Sequence, residues 1–451
     1  LMMNRKIHKI SGLIAGVIIL ILSITGLFLN HDNWKFLHNI TLQNVPLELY
    51  KSNNKTFTSY LINQNDENHI ITGGTRGVYE SFDQGKTFVE TLDEVVYSIK
   101  NDDNFLYVAT GNGLYKKEFK STIWNKYLLD GKIITSLNIY KDRLLAVEDK
   151  TKVILVDLNN DSILVNSGIN IPKELLNSDI TLSRFVRDLH YGRGLFDGDI
   201  SLFINDFATI VLIILGFSGF ILWWLIANIK KSHKYKNSIK YFVKIHSNIF
   251  SILAIIPIII LLITGIFLDH GKDLNKFMKE TIISKDYLPP VYRTLKSDIW
   301  GADFDGKNFY LGNRYGVFKS ADLTNFELVS EGFAYKMIRK NEILYVSGMG
   351  SSNRTLINNT WNILENSPHM FTDIYFENTN IKYLSSHNKN LILPIFDNIT
   401  LYTFLYSLHD GSFFAPWWVW VNDFASALLL ILLITGLIRW YLRSNLRKRI
   451  K

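Results

Sequence analysis

The chain of 451 residues contains no cysteine. That excludes disulfides, thiolate metal sites, iron–sulfur clusters and the thioether attachment of c-type haem. Any redox group here must be held by other ligands. No Gly-rich dinucleotide fingerprint follows a strand, so a built-in nicotinamide or flavin domain is not expected. Charge is missing too, from three apolar runs at roughly 10–29, 207–229 and 249–268. A fourth run, roughly 424–440, is charge-free until Arg439, a cation long enough to snorkel. Each approaches or reaches the length needed to cross a bilayer. The first is too long and uniform for a signal peptide, and no small-residue cleavage site follows it, so it is read as a retained anchor.

Acidic residues are absent from three basic segments: the first ten residues, the linker 228–246 and the tail from Arg439. Together these hold fifteen Lys and Arg, whereas the whole chain is only +8. The positive-inside rule puts all three in the cytoplasm. The basic balance is therefore a topology signal, and nucleic-acid binding is not needed to explain it. Trp223, Trp224, Trp417, Trp418 and Trp420 read as interfacial aromatic belts.

What is present is written twice. Lys6-Ile7-His8 opens a run ending Thr25-Gly26-Leu27-Phe28-Leu29-Asn30-His31. Lys244-Ile245-His246 opens another ending Thr264-Gly265-Ile266-Phe267-Leu268-Asp269-His270. Each half then carries a Leu-His-x-Gly, at Leu189-His190-Tyr191-Gly192 and Leu408-His409-Asp410-Gly411, followed by Asn-Asp-Phe-Ala from Asn205 and from Asn422. Both halves start and end inside, so the repeats run parallel about an axis along the membrane normal. Each span holds a small-residue notch: Thr25-Gly26, Ser218-Gly219, Thr264-Gly265 and Thr435-Gly436. Close helix packing is one use for such a notch; room for a flat macrocycle is the other. Pro257 is expected to kink the third span.

The inserts between spans are β-rich. A unit of apolar strand, glycine turn and strand recurs near Ile70, Phe105 and Arg143, and again near Phe309, Ile343 and Asn390. The spacing suits propeller blades. Three blades cannot close alone, so one six-bladed propeller shared by both inserts is expected. Ser81-Phe82-Asp83-Gln84-Gly85-Lys86-Thr87-Phe88 resembles the Asp-box of sialidase-like and sortilin-like propellers, with a degenerate copy at Ser320–Phe326.

Of eleven histidines, six form the duplicated set: His8, His31, His190, His246, His270 and His409. Neutral imidazoles at span ends suit bis-histidine ligation of b-type haem, iron being bound through two of them. His8 with His246 would give a cytoplasmic-side haem. On the external side the choice stays open between one haem and two with pairs such as His31/His409 and His190/His270. His8 and His31 are about 35 Å apart along an ideal helix and do not share a face. Arg184, Arg187 and Arg193 near His190 are candidates to pair propionates.

His8 followed at i+4 by Gly12, the four notches, the two Leu-His-x-Gly segments and Gly219-Phe220-Ile221-Leu222-Trp223-Trp224 resemble the PepSY-associated transmembrane family. The resemblance covers the four spans and their flanks. It implies haem and a redox role, since members include haem-binding inner-membrane reductases that pass electrons outward, for example to ferric siderophores. Propeller blades in place of the external PepSY domains are a departure. So are Phe250 and Ala254, which stand where the first span has Gly12 and Gly16.

The expected fold is a four-helix transmembrane bundle from two parallel repeats plus an external propeller of about six blades. The first span covers 1–31 and the first propeller half 32–189. The first Leu-His-x-Gly segment and second span cover 190–231, and a basic linker 232–245. The third span covers 246–270 and the second propeller half 271–408. The fourth span with its Leu-His-x-Gly covers 409–443, and the tail 444–451. The expected function is a haem b-containing, ferric reductase-like oxidoreductase carrying electrons across a bacterial inner membrane. It would hold one to three haems, two being the central expectation. Its partners would be membrane lipid, a quinol or other donor, and an external ferric chelate or protein acceptor. The alternative is a non-enzymatic membrane-anchored receptor, sensor or assembly factor.

Overall fold

The computed structural model describes all residues except 1, 229–234, 297, 341, 378–379, 386–390 and 450–451. Lys230, Lys231, His233 and Lys234 of the basic linker, His387, and the repeat start near Asn390 lie outside the described residues. The chain divides into two units: 1–32 with 180–283 and 402–451, and 33–179 with 284–401.

The first unit is helical. Among the described residues three helices are long and apolar enough to cross a membrane: Lys6–Leu29, Ile200–Asn228 and Pro416–Leu442. The third expected span differs. It is a pair, Lys236–Leu253 and Ile255–Asp269, bent by 73° at the break. The cause is local. Pro257 has no N–H to give to the carbonyl four residues back, and its ring crowds that carbonyl, at Leu253. The break falls there. The helices share a core of Ala15, Ile19, Ala208, Val211, Leu212, Ala254, Ile258 and Ala425. Ile14, Val17, Phe217, Ile256 and Ile434 point outward and exposed, the arrangement lipid favours.

Glycine sets the closeness of the first two long helices. A Cβ on Gly16 would stand 2.8 Å from the Phe220 ring, and one on Gly216 would stand 2.6 Å from Leu20. The third span cannot copy this contact. Its Ala254 is fully buried and its Phe250 is exposed.

The second unit is β-rich. Among the described residues, five four-stranded antiparallel meanders follow one another, and a sixth sheet shows two strands, Asp373–Glu377 and Asn380–Leu384. The first strands of the six sheets are Phe57–Ile62, Val96–Asn101, Ile134–Tyr140, Gly301–Phe304, Lys336–Lys340 and Asp373–Glu377. They pack on one another in order, and the sixth also meets the first. Buried residues of neighbouring sheets share cores, such as Ile71, Val96, Ile99 and Leu106. The outer strands are polar and more exposed, as in Val89–Leu92.

This corrects the propeller expectation. Among the described residues no sheet curls round and closes on itself; the strand ladders run only within each meander. The repeat in the sequence records a repeated hairpin with a required glycine. Gly77 (φ +107) and Gly113 (φ +105) occupy backbone that favours glycine, and a Cβ there would meet the carbonyl oxygens of Leu92 at 2.5 Å and Leu129 at 2.8 Å. The Ser81–Phe88 motif closes a turn. The Asp83 carboxylate accepts from Thr87 N (2.9 Å), Thr87 Oγ1 (2.7 Å) and Ser81 Oγ (2.8 Å). That turn stabilises one hairpin and carries no evidence of a closed array of Asp-box blades.

Each unit is also stitched across the repeat. Ile180–Thr181 pairs with Ile282–Ile283 in the helical unit, and Thr41–Leu42 pairs with Ile399–Thr400 in the β-rich unit.

Candidate functional site

Four histidines of the helical unit lie beside the small-residue notches. His8 Nδ1 is 2.8 Å from Thr435 Oγ1, and His246 Nδ1 is 2.8 Å from Ser218 Oγ. His409 Nδ1 is 2.8 Å from Thr25 Oγ1, and His190 Nδ1 is 3.0 Å from Thr264 Oγ1. Every histidine is seated in a notch of the other half of the chain. The glycine beside each hydroxyl makes the space. A Cβ on Gly26 or Gly219 would stand 3.3 Å from Cε1 of His409 or His246. At Gly265 and Gly436 the distances are 3.5 Å to His190 and 3.6 Å to His8. The notch thus seats an imidazole, which neither close packing nor a macrocycle had suggested.

The hydroxyls determine the imidazole tautomer. Each donates its own hydrogen to the carbonyl one turn back: Thr25 to Ile21, Ser218 to Ile214, Thr264 to Ile260 and Thr435 to Ile431, at 2.6–2.7 Å. Its oxygen must therefore accept from the ring. Nδ1 carries the hydrogen and Nε2 the lone pair. Burial pushes the His190 and His409 imidazoles down to about 4, and for His190 the neighbouring His409 adds to the effect. Both are neutral at pH 7.

The seats bring the rings together in twos. His8 and His246 have ring centroids 6.2 Å apart, and His190 and His409 6.3 Å. His8 and His246, named together as ligands of one haem, are brought side by side. On the external side His190 and His409 are neighbours, and neither His31 nor His270 joins them. His31 Nε2 lies 2.9 Å from Asp206, and His270 Nε2 2.6 Å from Asp423. The duplicated Asn-Asp-Phe-Ala explains this. Its Asp takes one histidine, and its Asn holds the end of the short helix that bears the other. Asn205 Nδ2 donates to His190 O at 2.9 Å, and Asn422 Nδ2 donates to His409 O at 3.2 Å. The motif was visible in the sequence; its division of labour was not, because it joins residues far apart in the chain. Arg184 and Arg193 flank Asp188 at 3.5 and 3.3 Å, so their charge is engaged with that carboxylate.

Two imidazoles sharing an axial metal at about 2 Å from each nitrogen stand with ring centres about 6 Å apart. The two pairs stand at about that spacing. As a metal centre in its own right the unit offers less. Among the described residues no group of three or more His, Asp or Glu gathers to hold an ion, and there is no cysteine. This overturns the expectation of a ferric reductase-like, electron-transferring oxidoreductase. No constellation supporting such an active site is present among those residues.

The family model described as the PepSY-associated TM region matches residues 135–443, more than half of the chain. A search among curated proteins finds no significant match. Among solved structures, the chain is similar to the extracellular domains of a one-component and a hybrid two-component system from B. thetaiotaomicron. Identity is 10% in both, with TM-scores of 0.31 and 0.30 and 68% and 71% of this chain covered. It spans only 27% and 35% of those chains. It is also similar to PorZ, a surface component of the type-IX secretion system of Porphyromonas gingivalis, at 9% identity and TM-score 0.29, covering 72% of this chain and 35% of that one. Likenesses this distant bear on neither site nor activity. The family match does bear on identity: the chain belongs to the PepSY-associated TM family.

Proposed function

We propose that the protein is a non-enzymatic, membrane-anchored receptor or sensor. The β-rich unit takes the ligand and the helical unit responds. One observation carries the reading. Four imidazole–hydroxyl bonds, each reaching from one half of the chain into the other, tie the helical unit into a single cross-linked element. A sensor needs such an element, with more than one arrangement for a ligand to bias. The charge pattern supports cytoplasmic termini in a bacterial inner membrane, with the β-rich unit on the far side.

We further propose b-type haem as the group the bundle holds, one on His8 and His246 and one on His190 and His409. Neighbouring imidazoles with Nε2 lone pairs suit it. When bound, haem would supply a flat, coloured brace between helices of the two halves. The chain's own residues do the rest: hydroxyls orient the rings and glycines admit them.

The test uses the full chain in lipid vesicles, with a quinol as donor and a ferric chelate as acceptor. No reduction above the protein-free background is expected. Turnover that disappears with His409→Ala would overturn the receptor reading. An absorbance spectrum of the same preparation decides the cofactor. A Soret band halved by His8→Ala and by His190→Ala is expected; no band after haem-replete expression refutes that part alone.

A further inference from the structure

The helices Ile200–Asn228 and Lys236–His246 pack side by side, and Ser218 and His246 join them at one level. Nearer the linker they part around a cavity of about 560 Å³. Phe220, Trp223 and Trp224 wall it from the first helix, and Ser238 and Phe242 from the second, with Tyr235 just ahead of that helix. Cavities that take small ligands run from about 300 to 1,000 Å³. Ser238 is the smallest side chain of the wall, and its size leaves room that a ring would fill.

The rings have apolar bodies and polar tips. Trp224 and Tyr235 meet edge to face, with centroids 5.6 Å apart. Among the described residues, the indole N–H groups of Trp223 and Trp224 and the hydroxyls of Tyr235 and Ser238 have no hydrogen-bond partner. All four groups donate. Trp223 and Trp224 are 42% and 51% exposed. Rings of this kind settle at the level of lipid headgroups, body toward the tails and tip toward water.

The second helix adds charge. Lys236, Lys240 and Lys244 recur every four residues and form one exposed stripe along it, and the helix holds no acid. No carboxylate of the described residues lies within ion-pair distance of them. The stripe runs round the helix from Ser238 and Phe242, so the cations flank the wall of the cavity. Lys236 adjoins the wall residue Tyr235 in the chain. A single molecule that satisfies rings, tips and cations needs an apolar tail, acceptor oxygens and negative charge. A neutral quinone lacks the charge, and a free anion lacks the tail.

We propose that this cavity is a binding site for one anionic phospholipid of the cytoplasmic leaflet. An acyl chain sits among the rings, the phosphate is held by the polar tips and Lys236, and Lys240 and Lys244 draw such lipids to the helix. The cytoplasmic surface of a bilayer is negative and attracts basic segments beside a span. The site needs the cytoplasmic placing of the linker and nothing else of the receptor reading.

The experiment adds phosphatidylglycerol with a photoreactive diazirine in its acyl chain to the full chain in neutral detergent, and maps the crosslinked peptides by mass spectrometry. Label is expected on the peptides containing Trp223 and Phe242. Unlabelled phosphatidylglycerol should compete for it at least fivefold better than phosphatidylcholine. Ser238→Phe fills the cavity and should cut the label there at least fivefold. Joint replacement of Lys236, Lys240 and Lys244 by Gln should abolish the preference between the two lipids. Ile434→Phe, at an exposed position of another helix, should change nothing. Unfolding midpoints near that of the parent verify that the variants fold. Label spread evenly over all spans, equal competition by the two lipids, or label indifferent to Ser238→Phe overturns the site. Competition by a ubiquinone analogue and none by phosphatidylglycerol also overturns it, and gives the cavity to a quinone. Detergent has no sides, so each of these results bears on the site and leaves the receptor reading to its own test.

Discussion

Thr25→Val removes the hydroxyl that accepts from His409 while keeping the side chain's shape. Bonds of this kind between helices in lipid are worth about 0.6–1.7 kcal/mol. The imidazole left behind is buried, and a buried donor without a partner costs roughly 1–3 kcal/mol. The single variant should therefore lose about 2 kcal/mol. His409→Phe removes the other partner. A double-mutant cycle of the two should return a coupling of about 1 kcal/mol. Thr25 with His8 is the control, since His8 is seated at Thr435, and should return about 0.3 kcal/mol or less. Gly26 sharpens the test. Alanine in a helix gains about 1 kcal/mol over glycine, but a Cβ here meets His409 at 3.3 Å, against 3.6 Å for the Cβ of Gly436 at His8. Gly436→Ala should therefore be neutral or stabilising, and Gly26→Ala destabilising. The assay is reversible unfolding in mixed micelles, followed by helical circular dichroism. Equal coupling of Thr25 to His409 and to His8 would refute the crosswise seating.

The β-rich unit holds a buried cluster in which Glu80 accepts from Lys117 (2.6 Å to each oxygen), His69 (2.8 Å) and Thr91 (2.7 Å). Lys117→Met should cost about 3–5 kcal/mol, as breaking a buried pair does, while the double change with Glu80→Met recovers most of it; denaturant titration measures both, and a single change costing under about 1 kcal/mol would count against the cluster. Asp206→Asn and Asp423→Asn should loosen His31 and His270 without altering the spectrum of any haem bound by the other four histidines. A loss of the Soret band in either would move ligation to the external pair. Pro257→Ala restores the missing N–H, so the bend of 73° between Lys236–Leu253 and Ile255–Asp269 should decrease; spin labels on either side of Ala254 would lengthen their mean separation, and an unchanged distance would assign the bend to packing.

Much of the helical unit was legible because it depends on local rules. Apolar runs of spanning length, basic segments without acids and a proline with a known steric demand all act within a few residues. They yielded three long helices, the kink in the third span, and the membrane. The repeat also exposed the six histidines, both Asn-Asp pairs and all four notches as matched sets. The hairpins of the β-rich unit were readable for the same reason: Gly77 and Gly113 answer to their own backbone. The closed propeller expected from their repetition was not found: among the described residues the strands pair only within their own meanders.

The sequence by itself determined which residues are special and that each occurs twice. Only the tertiary structure decided who meets whom. Thr25 and His409 are 384 positions apart, His8 and Thr435 are 427. No periodicity links them. Hydrogen-bond demand and the space of one missing Cβ do, once the helices have packed. The same holds for Lys100 and Asp373, 273 positions apart. Only the meeting of the sheets brings this lysine and this carboxylate together.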